Sequence, residues 1–318
     1  MNKNHLIYLL QLLNLGLHKS EPAEVPGGLL HKMWRIETSQ GIYAIKELSR
    51  DIDLAKLEII DNYNLTEKIA SRFIEKGIPA ICALSHNKQY LQIIDDTGYL
   101  IYPWVDAKAK LEVSENHAIK IAKTLAKIHQ IDLDIPELDQ PVFDIHSNDK
   151  IRALIGKTND LQNNLDLLLQ INDEYKAAVT VLKSQSVVSH ADLDPKNVLW
   201  NENDDPILID WEAARKINPT YEIINAALDW SGISNKFDIN IFNHMLAAYR
   251  SAGGIIDDHL LNSAFYGALG NWINWLVYNI KRSLDDNNID QHKLGTEQIH
   301  VALCTILNIH KIIPGELR

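Results

Sequence analysis

The chain has 318 residues, 46% of them hydrophobic and 23% charged; this is close to the soluble globular average and excludes wholesale disorder and fibrous classes. That length can bury a sizeable core, as two domains or one large one, while two distant cysteines, Cys82 and Cys304, exclude a disulfide framework or a cysteine-based zinc site and predict a reducing cytoplasm. The net charge of −11 is uneven: residues 1–105 carry 11 Lys/Arg against 12 Asp/Glu, and residues 106–318 carry 20 against 30, which disfavours nucleic acid or an anionic membrane and suits a cationic small molecule bound by the later part.

Leu6 to Leu17 is mostly apolar, but Gln11 and Asn14 interrupt it and no small-residue cleavage site follows. It therefore reads as a first amphipathic helix ended by Gly16 and Pro22, not as a secretory signal. No apolar run approaches the roughly 18 residues needed to span a bilayer. Residues 25–105 read as a small mixed lobe. After Gly27-Gly28, Leu30 to Thr38 and Ile42 to Leu48 are predicted strands around a Ser39-Gln40-Gly41 turn. A helix is expected from Leu54 to Lys76, closed by Gly77 and Pro79. Short strands follow at Cys82–Ser85 and Tyr90–Ile94, then an apolar extended segment, Tyr99 to Val105. Beyond it the pattern becomes helical. Residues 114–130 have helical spacing with Ser114 as cap, residues 131–149 form an acidic loop, and helices continue to Lys183. Residues 187–211 hold short β-like pieces around polar turns, and helices return from Tyr221. This predicts an α+β fold with domains at 1–105 and 106–318.

The chemistry concentrates in the 187–211 region. Val187 to Trp200 contains His190-Ala191-Asp192-Leu193-Asp194-Pro195-Lys196-Asn197, an H-x-D-L-x-x-x-N frame between apolar stretches. Ile207-Leu208-Ile209-Asp210-Trp211-Glu212 then places Asp210 at a strand end. Phosphoryl transfer needs these groups: one Asp to accept the proton of the attacking hydroxyl, and an Asn and a second Asp to hold magnesium against nucleotide phosphates. Hard oxygen donors suit that metal. The first lobe supplies the remainder. Gly27 and Gly28 bring backbone N–H groups towards phosphate oxygens. Lys46, in Tyr43-Ala44-Ile45-Lys46, reaches the α- and β-phosphates from a strand, and Glu67 on the next helix holds it as an ion pair. At the hinge, the Tyr102 carbonyl and the Trp104 N–H face the adenine edge, and Pro103 between them withholds nothing.

These three motifs resemble the aminoglycoside phosphotransferase/choline kinase family, over roughly residues 25 to 285. The resemblance implies a bilobal protein-kinase-like fold, a small β-rich N-lobe and a larger, mostly helical C-lobe. It implies Asp192 as catalytic base, Asn197 and Asp210 as magnesium ligands, and Lys46 with Glu67 as the phosphate-positioning pair. ATP and Mg2+ follow as cofactors, with phosphate transferred to a hydroxyl of a small acceptor. The family often has Gly where this chain has Ala191, and His-Pro-Gly where it has Asp194-Pro195-Lys196. Glu222 stands in for an Asp that many members use to bond the catalytic loop. Asp194, where Ser/Thr protein kinases typically have Lys, and the missing APE-type segment argue against a protein kinase. The acidic later part favours a cationic acceptor, an aminoglycoside-type antibiotic first and choline, thioribose, homoserine or thiamine as metabolic alternatives; a nucleotide-binding regulator without catalysis is the reading from another class.

Plainer readings accompany several residues. Asp192 and Asn197 are also common turn residues, and Asp210 is a possible strand-end cap. His190 reads as a structural residue of the loop, and His129 as packed on an Ala- and Leu-rich helix face. Glu212 is open between a metal-related and a surface role. Trp272, Trp275 and Tyr278, at spacing three, read as a core stripe before an aromatic cage for a quaternary ammonium.

Overall fold

In the computed structural model, which describes residues 1–26, 31–110, 112–138, 140–285 and 289–313, the expected hairpin around Ser39–Gly41 forms. Its strands β2 (Lys32–Glu37) and β3 (Ile42–Glu47) belong to an antiparallel sheet with β1 (Ala23–Val25), β4 (Gln92–Ile94) and β5 (Thr97–Pro103), in the order β1-β2-β3-β5-β4. The segment 82–85 is not a strand. The Leu84 N–H donates to the Ile101 carbonyl of β5, at 2.7 Å.

Both faces of this sheet are covered, which is why β5 reads as a continuous apolar run. Helix α1 (Lys3–Leu12), capped by Asn2, lays Leu6, Leu9 and Leu10 against Ile36, Ile45, Tyr99 and Ile101. On the other face Leu48 and Leu100 pack with Tyr63 of α2 (Leu57–Glu75) and with Ala83 and Leu91. Strand alternation puts Lys46, which pairs with Leu100, on this second face.

The chain divides into two compact units, Met1–Lys110 with Lys196–Ala214, and Leu111–Pro195 with Arg215–Arg318. A division at 105/106 thus misses the return of residues 196–214 to the first unit. The hairpin β7 (Val198–Trp200) and β8 (Pro206–Leu208) explains that return. Lys108 and Trp200 exchange backbone hydrogen bonds, Leu208 does the same with Pro79 and Ile81, and Trp211 stacks on Phe73 of α2 at 5.3 Å.

The second unit is helical: α3 (Glu115–Gln130), α4 (Asn148–Ile155), α5 (Leu165–Leu182), α6 (Pro219–Trp230), α7 (Ile239–Ser251), α8 (Leu261–Ser283) and α9 (Ile289–Ile312). Ser114 caps α3 as expected, in a capping box with His117. β6 (Val187–Ser189) and β9 (Arg215–Ile217) pair as a two-stranded ribbon, with the H-x-D-L segment following β6. Among the described residues, no helix is long and apolar enough to cross a membrane.

Helix α8 reaches its neighbours through glycines. A Cβ on Gly270 would lie 2.3 Å from the ring of Tyr175, which is 1% exposed and donates its hydroxyl to the Asp144 carbonyl. Gly270→Ala gains about 1 kcal/mol of helix propensity, but overpacking against a pinned ring costs about 1–3 kcal/mol. The clash wins because the ring has nowhere to go. The variant is expected to unfold at lower denaturant concentration with an unchanged m-value, and an equal or higher midpoint would contradict this packing.

Candidate active site

Lys46 is 8% exposed, yet it stays charged because two carboxylates meet it. Its Nζ donates to Asp210 Oδ1 at 3.0 Å and to Glu212 Oε1 at 2.6 Å. Burial works to lower the Lys46 pKa, but the charges of Glu212 and Asp210 outweigh it and hold the ammonium above its ordinary range. Burial likewise works to raise Glu212; its bond to His31 and the Lys46 charge prevail and hold it at about 2. His31 Nε2 sits 3.6 Å from Glu212 Oε2, and its Nδ1 accepts the Ser49 N–H at 3.1 Å. The Glu212 contact is legible in the sequence only as an acid two residues beyond Asp210, and that of His31 not at all.

Asp210 follows β8 with φ +61°, in the left-handed region that non-glycine residues enter at a cost. Just before it the Ile209 N–H donates to the Asn197 carbonyl at 3.0 Å. This bond brings the backbones of the two expected metal-ligand positions together, and Asn197 is 2% exposed. Among the described residues no group of three His, Cys, Asp or Glu forms a metal cage. Magnesium needs none, since it takes one or two protein oxygens and completes its shell with phosphates and water. The oxygen donors here fit that requirement, and Asp210 already holds a cation, the Lys46 ammonium.

Two expected contacts are corrected. Glu67 does not pair with Lys46. Its carboxylate, 4% exposed, accepts the Ala83 N–H and the Tyr102 hydroxyl, each at 2.6 Å, so both oxygens are already engaged. The Trp104 N–H is also engaged, with the Ile42 carbonyl at 3.0 Å. Ladder hydrogen bonds alternate, and the pairing of Ala44 with Tyr102 turns the Tyr102 carbonyl towards β3 as well. The Pro103 carbonyl, between them, is directed away from β3. Gly27 and Gly28 lie outside the described residues.

In the second unit Asp192 stands between two backbone anchors from α6. The Ala191 N–H donates to Glu222 Oε1 at 2.7 Å, and the Leu193 carbonyl accepts from Trp230 Nε1 at 2.9 Å. Glu222 thus bonds the loop after β6, as expected for it in place of an Asp. His190 is fully buried. Of the aromatic stripe, Trp275 and Tyr278 stack at 5.4 Å, and the Arg282 guanidinium lies 5.8 Å from the Tyr278 ring centre.

A family model described as the phosphotransferase enzyme family, APH, matches residues 25–258. The chain belongs to this family and is a phosphotransferase acting on hydroxyl groups of small molecules. No curated protein sequence matches it. Among solved structures it is similar to a spectinomycin phosphotransferase in complex with ADP and spectinomycin, at 15% identity and TM-score 0.69, covering 96% of this chain and 98% of that one. It is similar to a Plasmodium vivax ethanolamine kinase at 18% identity and TM-score 0.60, covering 89% and 81%. A choline kinase from Streptococcus pneumoniae matches at 13% identity and TM-score 0.61, covering 96% and 99%. These likenesses show the fold: protein-kinase-like, with a small antiparallel-sheet lobe and a larger helical lobe.

The buried Glu67 has a consequence for stability. Burial raises its carboxyl strongly; the bonds from Tyr102 and Ala83 and the Lys46 charge lower it only in part, leaving it pushed up to about 7 from an ordinary 4.5. The folded state therefore binds a proton that the unfolded chain has released between these two values. Stability from this group is complete below about pH 4.5 and is lost as pH rises through about 7, by up to roughly 3 kcal/mol. Glu67→Gln, which can donate to Tyr102 and accept from Ala83, is expected to flatten that part of the pH–stability curve. Equal slopes for wild type and variant between pH 4.5 and 7, in urea titrations, would contradict the assignment.

Proposed function

We propose that the protein transfers the γ-phosphoryl group of ATP to a hydroxyl of a small cationic acceptor, an aminoglycoside-type antibiotic first. One observation carries the nucleotide half of this reading: the cluster of Lys46, Asp210 and Glu212, with Asn197 tied to Asp210 through the Ile209 N–H. Lys46 leaves these carboxylates for the α- and β-phosphates, and Asn197 and Asp210 hold Mg2+, which when bound neutralises phosphate charge. The Pro103 carbonyl and Val105 N–H meet the adenine edge. Gly27 and Gly28 keep their proposed place at the phosphates. Glu67 acts on the Lys46 side only through Tyr102 and the local backbone. Asp192 orients the acceptor hydroxyl and takes its proton.

The second unit receives the acceptor. It holds a cavity of about 230 Å3 lined by Asp144, Tyr175, Arg215 and Asn274 among others. The second reading is a metabolic kinase for choline, a thioribose, homoserine or thiamine.

A coupled ADP-release screen over aminoglycosides, choline, ethanolamine, thioribose analogues, homoserine and thiamine tests both readings. With the best acceptor, Asp192→Asn is expected to lose at least about a hundredfold in kcat while ATP still binds. Near wild-type turnover would remove Asp192 as base, and absence of ADP release with every acceptor would favour a nucleotide-binding regulator.

Residues 106–318 carry 20 basic against 30 acidic residues. A cationic acceptor is attracted across partly solvated distances, so its KM should rise as salt screens that field. The nucleotide is charged too, so its own KM is the control and the difference is the signal. An acceptor KM that does not change between low and high ionic strength would reduce the acidic surface to a solubility feature.

A further inference from the structure

We propose that His31 is a positioning residue of the nucleotide site. It holds Glu212, and with it the turn that carries Asp210, when Lys46 passes from the two carboxylates to the phosphates. This role rests on the reading of Lys46 and Asp210 as phosphate and metal contacts. His31 immediately precedes β2, and its side chain is 8% exposed. Its Nδ1 lies 3.1 Å from the Ser49 nitrogen. A backbone N–H can only donate, so Nδ1 accepts and the ring proton is left on Nε2. That nitrogen faces Glu212 Oε2 at 3.6 Å and the Tyr63 hydroxyl oxygen at 3.5 Å. The start of β2, the end of β3, helix α2 and the stretch after β8 thus meet at one imidazole, all within the first unit.

Lys46 Nζ holds Glu212 Oε1 at 2.6 Å. While the ammonium draws the carboxylate its way, the 3.6 Å from Oε2 to His31 is just beyond hydrogen-bond length. When Lys46 turns to the phosphates, Glu212 loses that partner. Its side chain is 30% exposed, enough to turn out into water. His31 Nε2–H offers a donor on the far oxygen instead. A shift of a few tenths of an ångström brings the two to hydrogen-bond length, where a carboxylate acceptor makes the bond stronger than a neutral pair. Tyr63 braces the imidazole edge-on, with ring centres 6.5 Å apart, so the donor keeps its direction while Lys46 moves.

The position of Glu212 matters because Asp210 is two residues away. Asp210 has φ +61°, which a residue with a Cβ keeps only when its surroundings over-determine it. The turn that follows, Trp211–Ala213, is three residues long and is closed by the Ala214 N–H on the Trp211 carbonyl at 2.8 Å. So short a turn is held by its side chains more than by its own hydrogen bond. Trp211 stacks on Phe73, and Glu212 meets Lys46 and His31. With Lys46 withdrawn, His31 is the contact that remains to the Glu212 side chain among the described residues.

Two variants separate the two ring nitrogens. His31→Asn puts an amide oxygen where Nδ1 accepts from Ser49 but does not reach Glu212. His31→Gln puts an amide N–H where Nε2 donates but gives up the Ser49 bond. The first test needs no nucleotide: amide hydrogen exchange at Ala214 in a Lys46→Met background, where the ammonium is removed outright. There His31→Asn is expected to speed exchange at Ala214 by about tenfold, the worth of one hydrogen bond to a charged group, with α8 amides unchanged. His31→Gln should keep most of the protection. With Lys46 present, both variants should leave Ala214 near wild type, because the ammonium holds Glu212. Calorimetry with ATP, made with Lys46 present, does not depend on Lys46→Met folding. The gain in ATP affinity on adding Mg2+ should fall by about tenfold in His31→Asn and be largely restored in His31→Gln. Affinity for ATP without Mg2+ should change little in either. Unaltered exchange at Ala214 in the Lys46→Met background, or equal behaviour of His31→Asn and His31→Gln, would overturn the role of His31 while ATP binding itself stands. The expected exchange pattern in a protein whose ATP affinity ignores Mg2+ would keep His31 as the holder of Glu212 and overturn the reading of Asp210 instead.

Discussion

The first unit is organised around a buried cation. Lys46 projects from a central strand onto the face it shares with Leu48 and Leu100, where an ammonium alone would be costly. Asp210 and Glu212 make the position tolerable, and they are present because the β7–β8 hairpin returns to this unit. One charge requirement thus determines which segment must close against the sheet. It also prepares the site: the oxygens that balance Lys46 are the hard donors that a phosphate-bound divalent cation needs. On the proposed reading, nucleotide and metal would exchange partners with a network that is already polar and already paired.

The second unit contains the complementary device, a buried anion. Glu222 sits at a helix start and takes donors from the loop on one side and from His129 on the other. Ala191 carries a backbone cost at positive φ, and the carboxylate that takes its N–H is a glutamate, one methylene longer than an aspartate. A strained residue and a longer acid are compatible when the acid is itself held at its far oxygen.

Much of this was readable in sequence, for definite reasons. The H-x-D-L-x-x-x-N frame, Ile-Asp-Trp-Glu and Ala-Ile-Lys are local patterns, and local spacing survives folding. The Ser114 cap and the 42–48 strand are likewise short-range events. The failures are all long-range. Glu67 lies on the expected helix, but whether it meets Lys46 depends on the Tyr102 hydroxyl and the Ala83 amide, which arrive from two other segments. The Trp104 N–H faces β3 and not the hinge opening, a single step of ladder alternation, since strand composition does not reveal which edge an N–H faces. The same limit hid β1 and made 82–85 look like a strand.

His129 shows why a packed residue and a functional one are hard to separate by pattern. Its spacing on α3 places it on a buried face, which is correct, and burial of a histidine usually needs no functional account. What distinguishes it is partner chemistry. Both ring nitrogens are committed, one to a carboxylate that touches the residue before the expected base and one to a hydroxyl from a third helix. A histidine that only filled space would make fewer demands on distant elements. The two buried charges are alike in one respect: each takes partners from segments far apart in sequence, Lys46 from the stretch after β8 and Glu222 from α3 and the loop after β6.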